Sequence, residues 1–120
     1  MYILLVEDNE LQGELLKEML SGEKPLKVVL VTSAESALLL LDDLRVDLIV
    51  SDVNLPKMSG YELARTLKKG KFKEIPFFLY SSRPPVEEDI EIALAEGVDR
   101  YIDKTGVQEI YKDILKHLPK

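Results

Sequence analysis

Apolar positions along this chain group in two alternating ways. Ile3–Val6, Val28–Val31, Leu48–Val50 and Phe77–Tyr80 are short unbroken runs, rich in branched or aromatic residues, and predict strands covered on both faces. Tyr101–Ile102 is shorter and flanked by charge, which predicts an edge strand. Between the runs, apolar residues recur at helical spacing. Leu11, Leu15 and Met19 repeat every four residues, with Leu16 and Leu20 widening the stripe. Ala34, Ala37, Leu38 and Leu41 form a second stripe, with Ser33 and Ser36 as caps near its start. Leu63, Ala64 and Leu67 form a third, after Ser59-Gly60. Val86, Ile90, Ala93 and Leu94 form a fourth, introduced by Pro84-Pro85 and closed by Gly97. Val107, Ile110, Ile114 and Leu118 form the last.

Strand then helix, repeated five times at about 24 residues per unit, is the spacing of an α/β domain. Right-handed crossovers make a three-layer sandwich the economical packing, with helices on both faces of a parallel sheet. Gly22–Pro25 and Gly70–Glu74 read as turns, and no linker or low-complexity tail interrupts the series, so one domain over 1–120 is predicted. A chain 46% hydrophobic and 32% charged fits a soluble globular protein. No apolar run is long enough to span a membrane, and no secretory leader follows Met1. Cysteine is absent, which excludes thiolate chemistry and fits a cytoplasmic location. A net charge of −6 argues against direct nucleic-acid binding. The basic cluster Lys68, Lys69, Lys71 and Lys73 reads as a solvated helix end and loop.

The candidate chemistry sits where the strands end. Ile3–Val6 leads into Glu7 and Asp8, Leu48–Ser51 into Asp52, Phe77–Tyr80 into Ser81, and Tyr101–Asp103 into Lys104. In an open parallel sheet, function collects beyond the carboxyl ends of the strands. Spacing alone does not set strand order, but an order of 2-1-3-4-5 would bring Glu7, Asp8 and Asp52 together. Neighbouring carboxylates repel unless something positive lies between them, and a magnesium ion with oxygen ligands answers that need. Asp52 is the candidate nucleophile toward phosphorus, since the consecutive Glu7 and Asp8 are better placed to hold the ion or its waters. Ser81 could donate to a phosphoryl oxygen, and Lys104 could pair with another. Against this stands a plainer reading, in which Asp8 or Asn9 caps the first helix and Ser81 and Lys104 are turn and surface residues. There is no Gly-rich phosphate loop or dinucleotide fingerprint. His117 is the sole histidine, which leaves histidine triads and zinc clusters without material.

These residues resemble a known family, the receiver domains of two-component response regulators, of which the chemotaxis regulators are one kind. Ile3-Leu4-Leu5-Val6-Glu7-Asp8-Asn9 looks like its opening strand and acidic pair. Leu48-Ile49-Val50-Ser51-Asp52-Val53-Asn54-Leu55-Pro56-Lys57-Met58-Ser59-Gly60 resembles its phosphoacceptor segment. Pro76-Phe77-Phe78-Leu79-Tyr80-Ser81-Ser82 and Gly97-Val98-Asp99-Arg100-Tyr101-Ile102-Asp103-Lys104 are similar to its last two strands. The resemblance implies a doubly wound, flavodoxin-like sheet of order 2-1-3-4-5. It implies a signalling switch that accepts a phosphoryl group on Asp52 from a sensor histidine kinase or histidine phosphotransfer protein. Magnesium would be held by Glu7 or its water shell, Asp8, Asp52 and the backbone carbonyl of Asn54. Ser81 and Tyr101 would act as the switch, passing the change to a downstream protein or an attached output domain. Such a domain takes up phosphoryl groups from small donors and hydrolyses them, without being a metabolic enzyme. Homodimerisation stays open.

One departure concerns the residue after Lys104, where the family usually has proline and this chain has Thr105-Gly106. A trans bond or an altered loop is predicted there, because a cis bond before threonine costs several kcal/mol more than one before proline. Arg83 borders the site two residues past Ser81. The alternative functions are a receiver-like module that docks or dimerises without phosphorylation, and a metal-dependent phosphatase. The second lacks the further aspartate expected two residues after the nucleophile, where Asn54 stands.

Overall fold

Parallel pairing with matched register sets the layout of this molecule. The computed structural model describes residues 2–21, 27–81 and 86–103, with 112 and 116. Its strands are β1 (Tyr2–Val6), β2 (Lys27–Val31), β3 (Leu48–Asp52), β4 (Phe77–Ser81) and β5 (Arg100–Asp103). All pairs are parallel, in the order β2-β1-β3-β4-β5, as the 2-1-3-4-5 expectation requires. The helices among the described residues are α1 (Glu10–Ser21), α2 (Ala34–Leu41), α3 (Gly60–Lys68) and α4 (Glu87–Ala95). The Gly22–Pro25 turn, Pro84-Pro85 and the fifth helical stripe lie outside the described residues. None of the described helices is long and apolar enough to cross a membrane.

Alternating side chains feed two cores, one on each face of the sheet. Ile3, Leu5, Leu48, Val50, Phe78 and Tyr80 pack with Leu16 and Leu20 of α1. Leu4, Val6, Ile49, Phe77 and Leu79 pack with α2, α3 and Ala93 of α4. Every residue of β3 and β4 is buried, so both strands are covered on both faces and their continuous apolar runs are explained. Burying each large side chain such as Phe78 contributes about 2–3 kcal/mol.

The first helix corrects the sequence reading. Leu11 is 79% exposed and Leu15 49% exposed, while Gly13, Leu16 and Leu20 face the core. Gly13 carries the difference: a Cβ there would stand 2.9 Å from Leu30 Cδ1. Its missing side chain brings the helix close to the sheet on that side, and the buried stripe turns accordingly. In α4 only Ala93 is buried, and Val86 and Leu94 of the predicted stripe stay exposed.

Helix ends follow their local sequence. Ser33 caps α2 by accepting from Ser36 N at 3.1 Å. Ser59 and Glu62 form a reciprocal capping box on α3. Gly97, at φ 93°, ends α4, with Gly97 N donating to Leu94 O and Val98 N to Ala93 O. Lys68 shows that the basic cluster is more than a solvated end. Its ammonium donates to Ile75 O at 2.9 Å and to Asp99 Oδ2 at 3.2 Å, tying α3 to the starts of β4 and β5.

Candidate functional site

Val6 pairs with Ser51 across β1 and β3, so the residues that follow, Glu7 and Asp52, leave the sheet side by side. Asp52 is in turn in register with Tyr80 of β4. Two-residue periodicity puts Glu7, Asp52 and Tyr80 on the face shared by Leu5, Val50 and Phe78. Carboxylate oxygens of Glu7, Asp8 and Asp52 all lie within 4.8 Å of one another. Glu7 and Asp52 are 1% and 6% exposed, and Asp8 is open to solvent.

The hydrogen bonds show which residue caps α1. Asn9 caps α1, its Oδ1 accepting from Gln12 N at 3.0 Å, so neither acidic residue is consumed as the cap. Glu7 is held at both oxygens: Tyr80 OH donates to Oε1 at 2.8 Å and Asn9 N to Oε2 at 3.0 Å. Asn54 N donates to Asp52 Oδ1 at 3.1 Å. The loop after β3 is closed by Val53 N to Tyr80 O and Gly60 N to Val53 O, and it turns through Lys57 at φ 65°. A left-handed residue with a side chain costs about 1–2 kcal/mol, so the turn is built against local preference.

Each pair of like charges at such a separation repels by about 3 kcal/mol at an effective dielectric of 20. An all-oxygen donor set of this charge suits a hard divalent cation of the magnesium class. Ser81 is buried at the end of β4, in register with Asp103. Tyr101, half-buried in β5, pairs with Leu79, and its hydroxyl lies 3.1 Å from that of Tyr61 on α3. Lys104, Thr105, Gly106, Arg83 and His117 lie outside the described residues.

Sequence reasoning gave Tyr80, Tyr61 and Gly13 no part in this region. The available signal was Tyr80 itself, a phenol inside an otherwise apolar strand, because a buried tyrosine hydroxyl needs a partner. Burial, then the Glu7 carboxylate, push the Tyr80 phenol well above its ordinary range. Burial, then the hydrogen bond to Tyr101, do the same for Tyr61. A phenol pKa raised on folding contributes stability that is complete below about pH 10 and is lost as pH climbs through the folded value. In an alkaline absorbance titration, the deeply buried Tyr80 is therefore expected to ionise only as circular dichroism reports unfolding. All five tyrosines titrating near pH 10 in the folded protein would contradict this.

Comparisons with known proteins agree with this geometry. The family model for the response regulator receiver domain matches residues 3–115. The two-component response regulator ARR6 of Arabidopsis thaliana is 30% identical, over 87% of this chain and 61% of its own length. The cell cycle response regulator CtrA of Brucella ovis is 34% identical, over 87% of this chain and 44% of its own length. This chain thus spans about half the length of these curated relatives. Among solved structures, the signal receiver domain of an HD domain-containing protein from Pseudomonas fluorescens Pf-5 is similar, at TM-score 0.85 and 29% identity, covering 96% of this chain and 91% of that one. A match of this extent, on a sheet wound in the same order with its acidic residues gathered at one end, leaves one assignment: the chain belongs to the response regulator receiver domain family.

Proposed function

We propose that this receiver domain is a phosphorylation-dependent switch with Asp52 as its acceptor. The observation that carries the reading is the meeting of Glu7, Asp8 and Asp52 at adjacent strand ends, with Asp52 buried and its carboxylate oriented by Asn54 N. Glu7, Asp8, Asp52 and the backbone carbonyl of Asn54 would hold magnesium. When bound, that ion supplies positive charge against the phosphoryl oxygens. Asp52 forms a bond to phosphorus as the bond to the donor's imidazole nitrogen breaks, and the electron pair leaves with the imidazole. Water later attacks phosphorus, the phosphorus–oxygen bond to Asp52 breaks, and inorganic phosphate leaves as the carboxylate is restored. Ser81 is assigned to a phosphoryl oxygen, and Lys104 takes the ammonium role of the family.

A sensor histidine kinase or phosphotransfer protein is the proposed donor. A downstream protein or attached output domain is the proposed reader, reached through Ser81 and Tyr101. A ligand that binds one conformation better shifts the population toward it, and phosphorylation acts here in the same way. All the described strands belong to one sheet, which supports reading 1–120 as one receiver domain, and a cytoplasmic location follows from the proposed partners.

Incubation with magnesium and acetyl phosphate, followed by intact mass, tests the reading. One added phosphoryl group is expected, absent when chelator is present. Magnesium binding without any adduct would instead favour a docking module, and steady turnover of unrelated phosphate esters a phosphatase.

A further inference from the structure

We infer that Tyr80 is a positioning residue for the acidic site, setting the Glu7 carboxylate in place for a divalent cation. The inference rests on the reading of Glu7, Asp8 and Asp52 as a magnesium site. Tyr80 belongs to the buried face of β4, in register with Asp52, and its hydroxyl reaches 2.8 Å from Glu7 Oε1. Glutamate has one more rotatable bond than aspartate and loses more side-chain freedom when fixed. Here that freedom is restrained at both carboxylate oxygens. Tyr80 OH holds Oε1, Asn9 N holds Oε2, and Gly13 leaves space beside the stem, a Cβ there lying 3.4 Å from Glu7 Cγ.

The phenol does not displace a cation from Glu7. It is a neutral donor occupying one acceptor position on Oε1, and each carboxylate oxygen accepts more than one bond. Groups that hydrogen-bond to a ligating carboxylate orient it, and removing them typically weakens metal affinity by 10–100-fold. Asp52, directly across the register, shares the same cluster, so an error in Glu7 placement is felt where the phosphoryl group arrives.

The test is calorimetric titration of the whole chain with magnesium chloride, comparing wild type with Tyr80→Phe, Glu7→Asp and the double variant. Tyr80→Phe keeps the packed ring and is expected to weaken the dissociation constant about tenfold. Glu7→Asp keeps the charge but draws the carboxylate back from the phenol. On that background Tyr80→Phe is expected to change affinity less than twofold. A spectroscopic readout separates positioning from packing. Magnesium drawing on Glu7 weakens the acceptor of the Tyr80 hydrogen bond, so a near-ultraviolet tyrosine difference band is expected in wild type and absent in Tyr80→Phe. An unchanged affinity in Tyr80→Phe would overturn the inference, as would an equal loss on both backgrounds or a difference band that persists in Tyr80→Phe. Wild type that takes up no magnesium at millimolar concentrations would instead overturn the metal reading beneath it.

Discussion

Asp52→Asn is expected to abolish phosphoryl incorporation and, in chelator, to raise the melting temperature. Asparagine keeps the volume of the side chain and an oxygen for Asn54 N, which donates to Asp52 Oδ1 at 3.1 Å. It removes one of three carboxylates whose oxygens lie within 4.8 Å of one another. The repulsion relieved is about 3 kcal/mol per pair at an effective dielectric of 20, and solvent at the exposed Asp8 reduces it further. A net gain of about 1–2 kcal/mol corresponds to roughly 4–8 °C for a domain of this size. Intact mass after acetyl phosphate reads the first effect and scanning calorimetry the second. Magnesium should narrow the gap by stabilising wild type preferentially, since a ligand that binds only the folded state adds about 2.7 kcal/mol at a hundred times its dissociation constant. An adduct persisting in the variant would place the acceptor elsewhere. A lower melting temperature would mean that the cluster is not strained by its own charge.

Gly60→Ala should damage stability and the site together. A Cβ at Gly60 would clash with the Asp52 carbonyl oxygen and sit 2.6 Å from Leu79 Cδ2 and 3.0 Å from Val53 Cα. Leu79 can rotate, but the other two are backbone atoms at the end of β3, and they can yield only by moving the strand. Forcing extra volume into a packed region costs about 1–3 kcal/mol, and contact with fixed backbone puts this case near about 3 kcal/mol. The atom displaced belongs to Asp52 itself, so phosphoryl uptake is expected to fall even where the protein stays folded. Gly70→Ala is the matched control, because its nearest atom is Thr66 O at 3.9 Å. Its stability change is expected to stay within about 0.5 kcal/mol. Urea unfolding of both variants, with mass analysis alongside, checks the pair. Equal effects at the two glycines would remove the steric explanation.

The strands and the polar residues that close them were legible because both rest on short-range rules, whereas strand order, which gathers the acidic residues, came from the family resemblance. Unbroken apolar runs marked the strands, and a polar residue closing each run marked the end where a crevice opens, but β2 corrects the expectation of cover on both faces: it lies at the sheet edge, with Val29, Leu30 and Val31 only half-buried. The orientation of α1 was not legible from its leucines. Leu11 and Leu15 satisfy the helical period as well as Leu16 and Leu20 do, and only the close approach permitted at Gly13 settles which pair faces inward. Contacts between distant parts of the chain were hidden for a similar reason. Tyr80 and Glu7 are 73 positions apart, and Lys68 reads as one more surface lysine until β4 and β5 start beside it. Neither leaves a local pattern. Local sequence marked the helix ends at Ser33 and Gly97, since each acts within a few residues of itself.

The pairing of Asp52 with Tyr80 and of Val6 with Ser51 has one more consequence. Adjacent strands are read at a two-residue period, so core and chemistry share a single frame. Inserting one residue into β4 ahead of Tyr80 would move Phe78 or Tyr80 into the core on the opposite face and carry the phenol away from Glu7 in the same step. A frame error of this kind cannot spare the interior while breaking the acidic site, or the reverse. Selection for a well-packed sheet therefore also maintains the alignment of the acidic residues, and drift in this protein should be tolerated first in the loops between strands.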